Sequence, residues 1–296
     1  MQDYIYKFLD YISLEKKYSD HTKTNYELDL SKYELYLKEK KLDYLKMEYK
    51  DISDYIIFLK KSNYKPKTIN RALSTLRSFY KFLVNEQIIK NNPFDLVKGM
   101  KEEKRLPNYF KYKDFKVMID SLKEEKPLNN RNKLILELLF ATGVRVSELV
   151  NIKIEDIEFN KRKIKICGKG NKERFVFYGS YCNDILNKYL NEDRRLLLKN
   201  KETDYLLVNH LGTKLTDRGV RSIINKIIKK AEIHFKVSPH TFRHSFATMM
   251  LNEGCNIKSV AELLGHSNLN TTSIYTHLTN EEVRKAYLKS HPRGQK

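Results

Sequence analysis

Six side chains in the second half of the chain have the types that breaking a phosphodiester requires. They are Arg145 in "ATGVRVSEL", Lys169 in "GKGNKER", His240 and Arg243 in "SPHTFRHSFAT", and His266 and Tyr275 in "LLGHSNLNTTSIYTHL". A pentacoordinate phosphoryl transition state gathers negative charge on its non-bridging oxygens, and two guanidinium groups can clamp it with paired donors. A tyrosine hydroxyl, with an ordinary pKa of about 10, attacks only with a base or a strongly cationic surround. The leaving 5′-oxygen needs a proton, which a lysine on a hairpin can supply. Taken singly, each residue has a plainer reading. Arg145 can cap a helix end and pair with Glu148 three residues on. Lys169 can be a solvated turn, His240 a structural histidine, and Tyr275 one of 20 tyrosines packed by its ring. His240 and His244 also spell H-x-x-x-H, a metal-ligand spacing. Arg243 between them would repel a cation, and no metal site is expected there.

These residues need elements to hold them. "SPHTFRHSFATMMLNEG" is a well-punctuated helix, with Ser238 as N-cap, Pro239 at the first helical position and Gly254 as its stop. His240 and Arg243 share one of its faces. "RKIKICGKGNKERFVFYG" alternates on both sides of Gly168–Asn171 and reads as a β-hairpin with Lys169 at its tip. Helices are expected at 111–123, 130–142, 181–199 and 217–232. A turn at Gly265–His266 should separate two short helices, and "NEEVRKAYLKS" should form a last one. The first 98 residues read as helical throughout. In "HTKTNYELDLSKYELYLKEK", Thr22 and Thr24 can cap, and Tyr26, Leu30, Tyr33 and Leu37 recur at a helical period. In "KPKTINRALSTLRSFYKFLVNEQ", Thr68 can cap, and Ile69, Ala72, Leu73, Leu76, Phe79, Tyr80 and Leu83 form a stripe to bury. Pro93, Gly99, a charge cluster and Pro107 then mark a linker. The expected division is a helical domain over 1–98, a linker over 99–107 and a second domain over 108–296.

The composition names the class of partner. The 296 residues carry a formal charge of +20, with +6 over residues 1–106 and +14 over the rest, so both halves suit a polyanion. No acid falls between Lys60 and Asn85, while Lys65, Lys67, Arg71, Arg77 and Lys81 recur there, largely off the apolar stripe and available to phosphate. Double-stranded DNA is the leading partner. Three widely spaced cysteines without a CxxC fit a reducing cytoplasm, and no disulfide framework or zinc ribbon is expected. The most apolar run, "LILELLFATGV", holds Glu137 and stops at Arg145, so no membrane span is expected.

In order and spacing the motifs resemble those of the tyrosine recombinase, or phage integrase, family over essentially the whole chain. Length, the "GKGNKER" hairpin and the "HPR" tail at His291–Arg293 are most similar to the Xer site-specific recombinases within it. The resemblance implies a mainly α fold with a small β-sheet, as a two-domain C-clamp of an N-terminal core-binding domain and a C-terminal catalytic domain around duplex DNA. It implies that Tyr275 is the nucleophile of a 3′-phosphotyrosyl intermediate and that Arg145 and Arg243 hold the scissile phosphate. Lys169 would then be the general acid, His240 an aid to proton transfer, His266 a phosphate donor and Glu148 a supporting carboxylate. Storing the phosphodiester energy in the tyrosyl ester removes the need for ATP or a divalent metal, and the sequence shows no P-loop and no two-metal carboxylate cluster. Four protomers would work on two DNA sites, with an identical or paralogous recombinase as partner. A septal DNA translocase is a candidate activator. The last helix, apolar through Val283, Ala286, Tyr287 and Leu288, is expected to dock on a neighbour. The resolution of chromosome dimers is the expected task. No arm-binding domain is expected ahead of residue 1, which favours it over a mobile-element integrase. A type IB topoisomerase and a non-catalytic DNA-binding regulator are the other readings; the second predicts a lost tyrosine or arginine, and none is lost.

Overall fold

A computed structural model describes residues 1–15, 20–101, 109–168, 173–265 and 279–294. The chain divides into two compact units, Met1–Arg105 and Leu106–Lys296. Among its described residues the first carries four α-helices: α1 (Gln2–Leu14), α2 (Asp20–Lys40), α3 (Tyr49–Lys61) and α4 (Pro66–Asn85). Helix α2 starts at Asp20, so Thr22 and Thr24 lie inside its first turns rather than capping it. In α4 the cap position falls to Lys65 with Pro66 at the first turn, and Thr68 is again internal. The predicted α4 stripe is buried throughout, against Phe8, Leu30, Tyr33 and Leu37 of α1 and α2. Asn70 of α4 exchanges two hydrogen bonds with the backbone of Met100, at 2.9 Å and 2.6 Å. Met100 also packs on the core of this unit.

The second unit is organised round α6 (Pro127–Thr142), preceded by α5 (Tyr112–Asp120). Leu134 to Thr142 are all buried, which is why no amphipathic period is visible there. Gly143, at φ +60°, ends the helix in the left-handed region, and a Cβ there would stand 2.8 Å from the Phe246 ring. The short helix α7 (Val146–Asn151) follows at once, with Arg145 at its N-cap; Arg145 therefore opens α7 rather than ending α6. Strands β1 (Ile157–Glu158), β2 (Lys163–Cys167) and β3 (Glu173–Phe177) form an antiparallel sheet in that order, one strand more than the hairpin read from sequence. Ile164 pairs with Val176 and Ile166 with Arg174, placing these four on one face toward the α6 core. Phe175 and Phe177 take the other face.

A continuous helical stretch of α8 (Ser180–Lys188), a π turn (Tyr189–Asp193) and α9 (Arg194–Leu198) follows, then α10 (Asp217–Lys230) and α11 (Pro239–Asn252). The start of α11 is as read: the Ser238 hydroxyl accepts from the Thr241 N–H and Pro239 takes the first turn. Helix α12 (Ile257–Leu264) stops at Gly265, φ +63°. Helix α13 (Asn280–Ser290) departs from expectation. Val283 and Tyr287 are buried in this chain's own core with Phe177, Phe246, Met250 and Leu263, so the apolar face is consumed in cis, not presented to a neighbour. None of the described helices is long and apolar enough to cross a membrane.

After α13, His291 and Arg293 reach into the interior. The Arg293 N–H donates to Nδ1 of buried His291 at 3.0 Å, leaving the Nε2–H for the Phe140 carbonyl of α6 at 3.2 Å. Arg293 donates to Glu137 at 2.8 Å and stacks 3.8 Å over the Tyr181 ring. Burial raises the Glu137 carboxyl to about 7 against the pull of Arg293, and lowers the His291 imidazole to about 3. The two act oppositely on stability. A raised acid favours the fold at low pH and loses that contribution as pH rises through about 7. A depressed histidine favours the fold above its unfolded value and loses that as pH falls below about 6.5. From pH 7.5 to 5.5, Glu137 should add about 2 kcal/mol while His291 removes roughly 1 kcal/mol. Relative to Glu137→Gln, the wild type is therefore expected to gain about 2 kcal/mol over that interval in denaturant unfolding. Parallel pH responses of the two proteins would contradict it.

Candidate active site

Arg145 and Glu148 interlock at the start of α7. One Glu148 oxygen accepts the Arg145 backbone N–H at 2.8 Å, and the other takes the Arg145 Nη1 at 2.7 Å. The carboxylate is 5% exposed, whereas the Arg145 side chain keeps 40%. A third group completes the arrangement, and sequence reading missed it. Arg174 of β3 grips both Glu148 oxygens, Nη1 at 3.0 Å and Nη2 at 2.7 Å, with its side chain 9% exposed. Burial alone would raise the Glu148 carboxyl, but the bonds and charge of Arg174, with those of Arg145, outweigh it and hold it below the usual range. A signal for Arg174 was present: counting by twos from Val176 turns it inward, and an inward charge on a strand needs a partner.

Arg243 reaches the same place from α11. Its Nη1 donates to the Gly143 carbonyl at 2.9 Å and its Nη2 to the Leu264 carbonyl. Burial first, then the nearby charge of Arg145, lowers its pKa to about 10, which still leaves it cationic at neutral pH. Three consecutive carbonyls at the end of α12 are thus taken by three arginines. Leu263 accepts from Arg174 Nε at 2.9 Å, Leu264 from Arg243, and Gly265 from Arg145 Nη2 at 3.4 Å. The partial negative charge of a helix C-terminus favours this gathering of cations. His240, one turn before Arg243, is exposed on α11. His244 is half-buried with its ring edge-on to Tyr109, 6.3 Å between centroids. Lys169, His266 and Tyr275 lie outside the described residues. Arg145 and Arg243 thus meet one residue before His266 and ten before Tyr275 in the sequence.

The basic face of α4 is less open than its periodicity suggests. Lys65, Lys67 and Lys81 are exposed. Arg71, by contrast, reaches buried Asp29 at 2.8 Å, an acid that also accepts from Thr75 at 3.0 Å. Arg77 donates to the Phe94 and Val97 carbonyls at 3.2 Å and 2.9 Å, tying down the segment after α4. Both arginines thus also tie parts of their own unit together, Arg71 with 37% of its side chain still exposed, because a long stem carries the guanidinium to acceptors that periodicity does not reveal. Arg71→Ala is expected to cost about 1–3 kcal/mol of stability by leaving Asp29 buried without its cation. Lys65→Ala, Lys67→Ala and Lys81→Ala should change stability by less than about 0.5 kcal/mol, and each that meets phosphate should flatten the salt dependence of DNA binding by about one charge. Equal losses of melting temperature in both sets would refute the division.

Residues 108–282 match the Phage integrase family, and residues 5–87 match the Phage integrase N-terminal SAM-like domain. The tyrosine recombinase XerC of Listeria innocua is 42% identical over 291 residues, covering 97% of each chain. That of Staphylococcus carnosus is 41% identical over 289 residues, covering 98% of this chain and 97% of its own. Among solved structures, the XerH site-specific recombinase bound to palindromic difH substrate superposes with a TM-score of 0.73 at 22% identity, over 97% of this chain and 88% of that one, and shares the fold. The chain belongs to the phage integrase family and is a tyrosine-type site-specific recombinase.

Proposed function

We propose that this recombinase cuts and rejoins duplex DNA through a 3′-phosphotyrosyl link to Tyr275, and that its task is the resolution of chromosome dimers at cell division. The observation that carries the chemistry is the convergence of Arg145 and Arg243, from separate helices, on the Leu264–Gly265 turn. In this reading the phenolic oxygen of Tyr275 attacks the scissile phosphorus. The new P–O bond replaces the bond to the 5′-oxygen, which leaves with a proton from Lys169. His240 handles the tyrosine proton, His266 donates to a phosphate oxygen, and Arg145 and Arg243 clamp the non-bridging oxygens. Glu148 holds Arg145 in place. Attack on the tyrosyl ester by a 5′-hydroxyl reverses the step, so strand exchange conserves phosphodiester energy. Residues 1–98 serve as the core-binding domain, with Lys65, Lys67 and Lys81 toward phosphate, residues 99–107 as the linker, and residues 108–296 as the catalytic domain. The likeness to proteins named tyrosine recombinase XerC supports the cellular task. A cytoplasmic setting, a tetramer of identical or paralogous protomers on two sites and activation by a septal DNA translocase complete the proposal.

The test is covalent capture on nicked duplexes without metal or ATP. One series is drawn from dimer-resolution sequence near the replication terminus, the other from mobile-element ends. Adducts only on the terminus series support the reading. Adducts only on element ends would move the protein to a mobile-element role, and binding to neither series would remove the cellular assignment.

A further inference from the structure

We propose that Arg174 is the positioning residue of this active site: by holding Glu148 and the end of α12 together, it sets where Arg145 meets the scissile phosphate. The inference rests on reading Arg145 as a phosphate ligand.

Arg174 is not itself placed to hold phosphate. Its Nε, Nη1 and Nη2 already donate to Leu263 and to the two Glu148 oxygens, and the side chain is nearly enclosed. What it does is divide Glu148 between two arginines. Oε1 accepts Nη1 of both Arg145 and Arg174, and Oε2 accepts the Arg145 backbone N–H and Arg174 Nη2. A bidentate fork fixes the carboxylate plane, so the oxygen facing Arg145 has one position instead of a rotor. Removing the fork leaves Glu148 buried with Arg145 as its remaining cation, and the pair is then free to draw inward, away from the opening.

The second hold is on α12. Through Leu263, Arg174 fixes the first of the three carbonyls whose other two partners are Arg243 and Arg145. Gly265 fits closely beside it: a Cβ there would stand 3.1 Å from both Cδ and Nη1 of Arg174, on a backbone already at φ +63°. The strand carrying Arg174, the helix carrying Arg145 and the turn leading into His266 are therefore locked by one side chain. Lysine at 174 keeps the charge but cannot span two carboxylate oxygens and a carbonyl in one plane.

The test is single-turnover formation of the covalent DNA adduct by full-length Arg174→Lys. Expected is a rate about 10–100-fold lower, with duplex affinity within about threefold and melting temperature nearly retained. In an Arg145→Ala background the same change should alter the residual rate by less than about threefold, because it acts through Arg145; a general loosening of the fold would multiply instead. A folded Arg174→Lys protein with wild-type rate overturns the inference, as does full slowing that persists without Arg145. If the lysine variant unfolds, Arg174→Met with Glu148→Gln removes the orphaned charge and is read by the same two comparisons. Arg145→Ala alone separates the underlying readings. Wild-type cleavage by it removes the phosphate role of Arg145, whereas a crippled Arg145→Ala beside an unimpaired Arg174→Lys removes only the positioning role.

Discussion

Tyr275→Phe is expected to bind its duplex with affinity within about threefold of wild type and to form no covalent adduct at all. The substitution deletes one oxygen and keeps the ring, so it removes the proposed nucleophile with the smallest other change. Affinity for duplex DNA is expected to come from many phosphate contacts, and one neutral hydroxyl adds little to it. Covalent attachment, by contrast, depends wholly on that oxygen. An ordinary tyrosine is protonated at neutral pH, so in the proposed mechanism its attack would draw on the cationic ground of Arg145 and Arg243 and on proton transfer through His240. A denaturing gel after incubation with a nicked substrate reads the result directly. A shifted band of wild-type intensity from the phenylalanine variant would end the assignment of the nucleophile.

The second large effect concerns the two arginines, and the structure predicts that they differ. Either Arg145→Ala or Arg243→Ala should slow cleavage by about 10²-fold or more, the scale of losing a preorganised donor to developing oxyanion charge. Their stabilities should part. Arg145 is 40% exposed, and Glu148 keeps the Arg174 fork when Arg145 is truncated, so Arg145→Ala should fold nearly as well as wild type. Arg243 satisfies the Gly143 and Leu264 carbonyls, and its loss should cost about 1–3 kcal/mol in addition to the rate. Single-turnover cleavage and thermal unfolding on the same preparations measure both. Cleavage by Arg145→Ala within about fivefold of wild type would exclude it as a principal phosphate ligand; equal melting temperatures for the two variants would overturn the structural half of the prediction.

Much of this molecule is written locally. The α11 helix announces itself through Ser238 and Pro239, the α4 stripe through its 3.6-residue period, and the hairpin through alternation about Gly168–Asn171, because capping, helical faces and pleat act over a few residues. The proposed catalytic inventory was read from type and spacing alone; of it the structure describes Arg145, His240 and Arg243, while Lys169, His266 and Tyr275 lie outside the described residues. Tertiary structure decided what those spacings leave open. Arg71 and Arg77 were read toward phosphate by their face, and the fold also gives them partners in their own unit, Asp29 and the Phe94 and Val97 carbonyls, across 42, 17 and 20 residues of chain. Arg174 finds Glu148 across 26 residues, and Arg293 finds Glu137 across 156. Helix α13 showed an apolar face in sequence, but only packing could say that its own chain buries Val283 and Tyr287 and leaves Leu288 exposed. The physical reason is common to all of these: a long charged or apolar side chain is satisfied by whichever partner the folded backbone brings within a few ångströms, and that distance is unrelated to separation along the sequence.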